Sequence, residues 1–319
     1  MVDSWARARH ILEEAGLPPE RLTRVRPLTG GTYNTVEELV LDDGTRHVLK
    51  VPPAPSVPGL RHERRLLASE AEFYRGAAEA DVPAPRVVVL GRDLLMTAVP
   101  GDPWDGRFTG SEQARLREEL GRQVARLHRV RGTAFGYPSG ALGPLVPDWR
   151  TAFTGMLDAV LDDARDYGAQ LPRPVDEVAA ALAPGHFALE EVTVPRLVHF
   201  DLWNGNILVE RVAGQPRIGG LIDGERMFWG DPLADFVSLA LLGDIRTDEA
   251  FLAGYRRAGG RADFDVPARL RYALYRAYLY LIMLTETVPR EMDEEQRRWR
   301  QEAVAPQLEA ALAEIAELS

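Results

Sequence analysis

Leu197-Val-His-Phe-Asp-Leu-Trp-Asn-Gly-Asn-Ile-Leu-Val209 is a stretch in which polar and turn-forming residues separate two short apolar runs. Short apolar runs bounded by turn residues predict buried β-strands. A loop held between two buried strands is a rigid support for side chains that must point into a cleft. Within this loop, His199, Asp201 and Asn206 follow the spacing H-x-D-x-x-x-x-N.

This spacing suits phosphoryl transfer, which needs positioning and charge neutralisation more than covalent help. A carboxylate such as Asp201 can orient an acceptor hydroxyl and take its proton. An amide oxygen such as that of Asn206 can ligate Mg²⁺, which prefers hard oxygen ligands. For either residue alone a turn cap is the favoured explanation, but the whole pattern favours catalysis, and we group His199 with the catalytic residues.

A second motif follows as Ile218-Gly-Gly-Leu-Ile-Asp-Gly-Glu225 and then Gly230-Asp-Pro-Leu-Ala-Asp-Phe236. Asp223 stands after an apolar strand and before a glycine, the setting of a kinase aspartate that ligates Mg²⁺. Asp231, followed by proline, predicts the N-cap of a helix. We expect Asp235, in the first turn of that helix, to brace the catalytic loop.

Upstream, Val36-Glu-Glu-Leu-Val-Leu41 and Arg46-His-Val-Leu-Lys-Val51 flank an Asp-Gly pair, which predicts a β-hairpin whose two central residues take positive φ. Lys50 lies among apolar neighbours, so its charge needs a partner. In a kinase such a lysine pairs with the nucleotide phosphates and with a glutamate of the following helix. We choose Glu70 over Glu63 and Glu72, because apolar residues flank it at helix-face spacing.

The nucleotide is expected in this first part of the chain. Gly30-Gly-Thr-Tyr-Asn34 precedes the hairpin, and its glycines let backbone N–H groups approach phosphate oxygens. An ordinary β-turn explains this segment equally well. The predicted nucleotide contacts are Gly30, Gly31, Thr32 and Asn34, with backbone groups of Met96 and Ala98 offered to the base.

The chain is predicted to be an α+β protein with two lobes. Five strands and a helix over about 61–80 make residues 1–98 a β-rich, nucleotide-binding N-lobe. Val99-Pro-Gly-Asp-Pro103 is rich in turn residues and predicts the hinge. Residues 99–319 form a mostly helical C-lobe with the catalytic loop and the acceptor pocket. Its predicted helices cover about 111–130, 147–167, 174–184, 232–242, 247–257, 265–287, 292–304 and 306–317, with Pro306 dividing the last two.

Composition narrows the possible partners. The 319 residues are 45% hydrophobic and carry a net charge of -10, which argues against nucleic acid or an anionic membrane and is compatible with a cationic acceptor. Because there is no cysteine, disulfides and thiolate metal sites are excluded. The N-terminal sequence lacks the apolar core of a secretory signal. The most apolar stretch, Tyr272–Thr285, is too short to span a membrane and predicts a buried helix. We expect a cytoplasmic protein.

These motifs, together with Arg126-Leu-His128 after the hinge, resemble in order and spacing those of the aminoglycoside phosphotransferase superfamily, which shares its fold with choline, homoserine and fructosamine kinases. The resemblance implies a protein-kinase-like two-lobed fold, ATP or GTP as the phosphoryl donor, and Mg²⁺. It implies Asp201 as the base and Asn206 and Asp223 as metal ligands. It also implies that Lys50 binds phosphate and pairs with Glu70.

Two positions depart from the family pattern. Phe200 stands where a small residue such as glycine is common, and Gly224 follows Asp223 where many relatives have a bulky residue. Asp201-Leu-Trp-Asn-Gly-Asn206 also looks like the catalytic loop of fructosamine kinases, whereas the Gly-Asp-Pro segment looks more like that of antibiotic kinases.

The leading hypothesis is an enzyme that moves the γ-phosphoryl group of ATP to a hydroxyl of a small molecule. An antibiotic is the favoured acceptor, with resistance as the role, and a metabolite such as a sugar, an amino alcohol or a glycated amine is the alternative. A non-catalytic pseudokinase is a further alternative, and both monomer and homodimer remain open. The candidate acceptor contacts are Trp203, Glu225, Trp229, Arg271 and Tyr275.

Overall fold

The computed structural model describes residues 4–28 and 33–319. The predicted phosphate contacts Gly30, Gly31 and Thr32 lie outside the described residues. The N-terminal elements are α1 Ser4–Glu14, β1 Leu22–Pro27, β2 Thr35–Leu41, β3 Arg46–Val51, α2 Leu66–Glu79, β4 Val87–Leu90 and β5 Leu94–Thr97. The strands form one antiparallel sheet in the order β1-β2-β3-β5-β4, so the five strands and single long helix predicted for the N-lobe are confirmed.

The two faces of this sheet bury different helices, because successive side chains of a strand point to opposite sides. Leu49 of β3 and Leu95 of β5 pack against α1 in one apolar cluster. Leu94 and Met96, one residue to either side in β5, belong to the main core together with α2. Lys50, which follows Leu49, therefore faces α2.

The predicted hairpin between β2 and β3 is present, but its turn differs from the prediction. Gly44 alone has a positive φ, at 83°. The Gly44 N–H donates to Leu41 O at 3.0 Å, and Leu41 N–H donates to Thr45 O at 2.9 Å. One left-handed glycine after a regular turn is the geometry of a longer hairpin loop.

Helix α2 begins later than the prediction of about residue 61. Arg65 takes a left-handed conformation with φ of 61°, which interrupts the helix, and Arg61–Glu63 form a separate 3₁₀ turn. From Leu66 onward the helix is regular and its inner face is buried. That face carries Glu70, which is fully buried.

The C-terminal part contains two short sheets and a set of helices. Its strands are β6 Asp102–Pro103, β7 Arg196–Val198, β8 Ile207–Val212, β9 Gln215–Leu221 and β10 Phe228–Gly230. Its helices are α3 Gly110–Leu127, α4 Trp149–Tyr167, α5 Val175–Leu182, α6 Asp235–Leu239, α7 Glu249–Arg257, α8 Val266–Thr285, α9 Glu294–Trp299 and α10 Ala305–Leu318. One sheet has the strand order β6-β8-β9, and the other pairs β7 with β10.

The predicted hinge segment is tied to the C-terminal part. Its last two residues form β6, which pairs with Leu208 and Val209 of β8. Gly101 has φ of 102°, and a Cβ there would lie 2.7 Å from the Val209 backbone. This close backbone approach requires glycine, so the segment enters the sheet of β8 and β9 directly.

Helix α8 is buried over nearly its whole length, from Leu270 to Thr285 with the sole exception of Arg271, as expected for an apolar core helix. Across residues 4–28 and 33–319, no helix combines the length and the apolarity needed to cross a bilayer. The prediction that Pro306 separates the last two helices is wrong. A π-helical segment, Arg300–Val304, joins α9 directly to α10, and Pro306 lies in the first turn of α10, where its missing N–H is tolerated.

Helices α3 and α7 cross in close contact at Gly121 and Gly254. We therefore expect a larger side chain at this crossing to destabilise the fold. A Cβ on Gly121 would lie 2.2 Å from the Phe251 carbonyl oxygen, whereas a Cβ on Gly155 of α4 would meet nothing within 4 Å. We expect Gly121→Ala to lower the free energy of unfolding by about 1–3 kcal/mol through overpacking. Gly155→Ala, the matched control, should leave it unchanged or raise it by up to ~1 kcal/mol. Urea unfolding of both variants tests this, and equal effects would contradict the close crossing.

Candidate active site

The catalytic loop between β7 and β8 is fixed by one buried carboxylate at the start of α6. Asp235 Oδ1 accepts from Phe200 N–H at 2.6 Å, and Asp235 Oδ2 accepts from His199 N–H at 3.2 Å. His128 Nε2 lies 2.9 Å from Asp235 Oδ2, and its Nδ1 lies 2.8 Å from the Tyr255 hydroxyl. Asp235 thus braces the loop as expected, and His128 is structural.

Phe200 has a backbone conformation that favours glycine. Its φ is 63°, a conformation that glycine adopts freely and other residues adopt at a cost. The ring is fully buried against Phe228 and Tyr278, with centroids 5.1 Å and 5.5 Å away. Packing of the aromatic ring offsets the backbone strain here.

Asp201 and Asn206 face each other within this loop. Asn206 Nδ2 donates to the Asp201 backbone carbonyl at 2.8 Å and to Asp201 Oδ2 at 3.0 Å. Because the amide nitrogen is engaged, the amide oxygen is the atom of Asn206 that can face a metal. Burial raises the pKa of Asp201 to about 7; the Arg226 charge opposes this shift, and the charges of Asp223 and Glu286 add to it.

The catalytic role predicted for His199 is not supported. The ring is fully buried, with Nε2 2.9 Å from the Ile222 carbonyl oxygen and Nδ1 accepting from Asp201 N–H at 3.2 Å. Burial lowers the pKa of His199, which agrees with a neutral ring that donates through Nε2. Both nitrogens are committed to the backbone, so His199 positions Asp201 and has no free nitrogen for proton transfer.

Lys50 is the buried cation of the site. Its Nζ lies 2.7 Å from Glu70 Oε1 and also hydrogen-bonds Asp223 Oδ1. The Tyr74 hydroxyl donates to Glu70 Oε1 at 2.6 Å and accepts from Asp223 N–H at 3.1 Å, so Tyr74 links α2 to the turn after β9. The predicted pairing of Lys50 with Glu70 is therefore present, whereas Glu63 pairs with Arg290 at 2.5 Å.

Carboxylates outnumber cations around Lys50. One oxygen each of Glu70, Asp223 and Glu225 lies within 4.8 Å of the other two, and Glu70 Oε2 is buried with no hydrogen-bond partner among the residues that the structure describes. Burial raises the pKa of Glu225 to about 8, with Asp223 adding to the shift. An unpartnered buried oxygen and a surplus of hard oxygen ligands fit a divalent cation such as Mg²⁺.

The two predicted metal ligands come from neighbouring segments. Ile222 N–H donates to the Asn206 carbonyl oxygen at 3.0 Å, which sets Asp223 beside the catalytic loop. Asp223 itself has a φ of 64°. Burial raises its pKa, but the Lys50 charge and hydrogen bond outweigh burial, and the net pKa lies below its ordinary value. Asp223 is thus held ionised, as a metal ligand must be.

Packing against α2 requires a glycine at the position after Asp223. A Cβ on Gly224 would lie 2.3 Å from the Phe73 ring of α2. Asn34 Nδ2, from the segment before β2, donates to Glu225 Oε2 at 2.6 Å just beyond this glycine. The turn after β9 therefore meets both α2 and the edge of the glycine-rich segment.

Two of the predicted acceptor contacts, Arg271 and Tyr275, bind an aspartate of the chain itself. Asp231 Oδ2 accepts from the Tyr275 hydroxyl at 2.8 Å and from Arg271 Nε at 2.9 Å, and its Oδ1 caps the 3₁₀ turn that follows. Trp229 is buried in β10, with its ring against Gly132. Trp203 differs, since it is 46% exposed and its ring covers Gly205 in the catalytic loop.

Only some of the backbone groups predicted to contact the nucleotide base are free to form a hydrogen bond with it. Met96 pairs with Val48 on one side and Val87 on the other, so it is an internal residue of the sheet. Ala98 N–H donates to Arg46 O at 3.1 Å. The Ala98 amide therefore cannot donate to a base, and of the groups predicted there only its carbonyl oxygen remains a candidate.

Sequence reasoning missed a group of charged residues beside Asp201. Arg226 lies in the 3₁₀ turn after Asp223 and pairs with Glu286 at the end of α8, with 2.9 Å between Arg226 NH2 and Glu286 Oε2. Both side chains are nearly buried. The only available signal was a pair of charges in apolar surroundings, since their sequence separation of 60 residues gives no pattern.

A lobe with a buried lysine above a loop with a carboxylate and an amide is the arrangement of protein-kinase-like phosphotransferases. The chain belongs to the phosphotransferase enzyme family, whose model matches residues 24–275. It is a small-molecule kinase.

Three known proteins illustrate the range of the family. The probable ketoamine kinase of Lactiplantibacillus plantarum is 28% identical over 295 residues, which are 86% of this chain and 93% of that protein. A crystal structure described as a fructosamine-3-kinase of Thermobifida fusca superposes with a TM-score of 0.71 at 21% identity, over 98% of this chain and all of the other. An aminoglycoside phosphotransferase complexed with ADP and hygromycin B gives a TM-score of 0.61 at 17% identity, over 96% and 98% of the two chains.

The raised pKa of Asp201 predicts that its carboxylate lowers the free energy of unfolding in a pH-dependent way. Its native pKa of about 7 lies above the ordinary value of 3.8, so ionising it destabilises the fold progressively as the pH rises through that range. We expect Asp201→Asn to be more stable than wild type by on the order of 2 kcal/mol at pH 8. The gain should vanish near pH 4. Urea unfolding without magnesium at both pH values tests this, and a pH-independent difference would contradict it.

Proposed function

We propose that this protein is an ATP-dependent cytoplasmic kinase that phosphorylates a hydroxyl of a ketoamine-type small molecule. The observation that carries the kinase part is the buried Lys50, held by Glu70 and Asp223 beside the loop of Asp201 and Asn206. A non-catalytic nucleotide-binding protein has no need for a carboxylate held at a cost to stability, which is the state of Asp201.

In the proposed reaction, the Asp201 carboxylate orients the acceptor hydroxyl and accepts its proton. A pKa of about 7 suits this task, because a general base works best near the operating pH. Lys50 binds the phosphates of the nucleotide, and Glu70 and Tyr74 keep its ammonium in place. Asn206 and Asp223, with Glu225 nearby, would hold Mg²⁺, which would supply neutralisation of charge on the phosphate oxygens. GTP is an alternative donor.

The ketoamine acceptor replaces the antibiotic favoured by sequence reasoning. The relative that covers most of both chains is a ketoamine kinase by name, and a structure described as a fructosamine-3-kinase superposes better than the hygromycin B complex. Trp203 supports a sugar-like acceptor, because an exposed indole beside the base offers an apolar face to a ring. An antibiotic remains the second candidate, supported by the shared fold with the hygromycin B complex.

Replacing the proposed base tests the enzyme hypothesis. We expect Asp201→Asn to lower kcat by ~10²–10⁴-fold, measured as Mg²⁺-dependent ADP release with a fructosyl amine as the acceptor. ATP should still raise the melting temperature, because Lys50, Glu70 and Asp223 are untouched. Asn204→Ala, which changes an exposed residue of the same loop, is the control and should keep most of the activity. Equal turnover of wild type and Asp201→Asn would contradict the role of the base.

The exposed indole of Trp203 predicts a second kinetic effect. Trp203→Ala should raise KM for the sugar acceptor by roughly 5–30-fold, because about 1–2 kcal/mol of apolar contact is lost, and leave KM for ATP unchanged. The control is Phe187→Ala, which removes another exposed aromatic side chain, 52% accessible, from the 3₁₀ segment after α5. A rise in both KM values would indicate that the loop itself is disturbed.

A further inference from the structure

Three arginines converge on one buried glutamate beside the catalytic loop. We call Arg226, Arg290 and Arg300 the arginine cluster. Glu286 Oε2 lies 2.9 Å from Arg226 NH2 and 3.2 Å from Arg290 NH2, and Glu286 Oε1 lies 3.1 Å from Arg300 NH2. The three arginine side chains are only 13%, 15% and 17% exposed. Guanidinium groups at this depth need anionic partners.

Two arginines of the cluster, Arg226 and Arg300, share one carboxylate among the described residues. Besides Glu286, the cluster contacts Glu63, whose Oε1 lies 2.5 Å from Arg290 NH2. The other oxygen of Glu63 is taken by Leu60 N–H at 2.8 Å. Within residues 4–28 and 33–319, the ion pairs of Arg226 and Arg300 both go to Glu286, so two guanidinium groups with five N–H donors each share one carboxylate.

Arg300 shows the consequence of this imbalance. Burial lowers the pKa of Arg300, and the charges of Arg226 and Arg290 lower it further, although Glu286 opposes them. Arg226, by contrast, has its pKa raised by Glu286, Asp201, Glu63 and Glu225 against the effect of burial. An added anion between Arg226 and Arg300 would offset the repulsion that Arg300 experiences from the other two arginines.

The position of the cluster connects it with the acceptor. Arg226 lies three residues after Asp223 and close enough to Asp201 to lower the pKa of that carboxyl. On the other side, Arg290 lies over the ring of Tyr33, 5.9 Å from its centroid. Tyr33 and Glu63 line an open cleft of about 960 Å³. The cluster therefore influences the proposed base through Arg226 and contacts a residue of the cleft, Tyr33, through Arg290.

We propose that Arg226 and Arg300 bind a carboxylate of the acceptor, so that the substrate is a sugar-derived amine with a free acid group, as in a glycated amino acid. This inference rests on the proposed function and specifies its acceptor. The planar fork of guanidinium matches a carboxylate in two parallel hydrogen bonds. A polycationic acceptor would instead place like charges beside the cluster.

Two other roles of the cluster predict different outcomes. If it only clamps the N-terminal part to the end of α8 through Glu63 and Glu286, its loss lowers stability and affects all acceptors alike. If Arg226 and Arg300 contact the phosphate in transfer, their loss lowers kcat for all acceptors alike. A carboxylate site alone discriminates between acceptors that differ only in their acid group.

The test uses two matched acceptors, N-(1-deoxy-D-fructos-1-yl)glycine and its glycinamide counterpart. They share the sugar and the amine and differ only in the carboxylate. We expect wild type to favour the acid by ~10–100-fold in kcat/KM, mainly through KM, as for a charge-assisted hydrogen bond. Arg300→Gln should bring the ratio of the two kcat/KM values close to one. Arg298→Gln, an exposed arginine of α9, is the control and should keep the wild-type ratio.

Each result has a distinct meaning. Equal kcat/KM values for the two acceptors with wild type would overturn the carboxylate site while the ketoamine function stands. A loss in Arg300→Gln that is the same for both acceptors would also overturn it. Phosphorylation of neither acceptor would overturn the ketoamine function itself. If Arg300→Gln does not fold, Arg300→Lys keeps the charge but loses the fork and should reduce the ratio part of the way.

Discussion

The charge of Lys50 is the constraint on which the rest of the site depends. An ammonium buried between the sheet and α2 is tolerated only if carboxylates come to it. One comes from α2, as Glu70, and one from the turn after β9, as Asp223. Because these partners belong to different parts of the chain, satisfying a single buried charge fixes the nucleotide lobe against the segment that carries the predicted metal ligand.

Asp235 plays the corresponding part for the catalytic loop. It accepts hydrogen bonds from two consecutive backbone amides and is itself bound by His128, so it fixes the start of the loop. The loop contains strain at Phe200, and the neighbouring turn contains strain at Asp223, both with positive φ. Strained residues persist where the surroundings over-determine them, and here the surroundings are a buried carboxylate and a buried aromatic cluster.

The parts predictable from sequence were those with a local pattern. Alternating apolar residues gave the sheet, and the Asp-Gly pair gave its hairpin. The spacing of Asp201 and Asn206 gave the loop, and the apolar flanks of Glu70 identified the partner of Lys50. Each of these depends on neighbours within a few residues.

The errors came from tertiary contacts that have no such pattern. Tyr275 and Arg271 sit one turn apart on α8 and could have lined a pocket, but Asp231, some forty residues earlier, binds both. The spacing of polar and aromatic residues along a helix indicates which face they share. It does not indicate which distant aspartate will bind them. The arginine cluster was missed for the same reason, since Arg226 and Glu286 are brought together only by the packing of α8.

The charges around the candidate active site therefore form one acidic and one basic region, although the chain as a whole carries a net charge of -10. Around Lys50 the surplus is acidic, with Glu70, Asp223 and Glu225 competing for one ammonium, and a divalent cation would balance it. Around Glu286 the surplus is basic, and an anion would balance it. Asp201 is influenced by both regions, since the Arg226 charge lowers its pKa and the Asp223 charge raises it, and an acceptor carboxylate placed next to Asp201 would be repelled. An acceptor that satisfies both regions must carry its hydroxyl toward Asp201 and its acid group at the other end, toward Arg300. The net charge of the sequence does not reveal this arrangement of acidic and basic regions, because it depends on which charged residues pair in the folded structure.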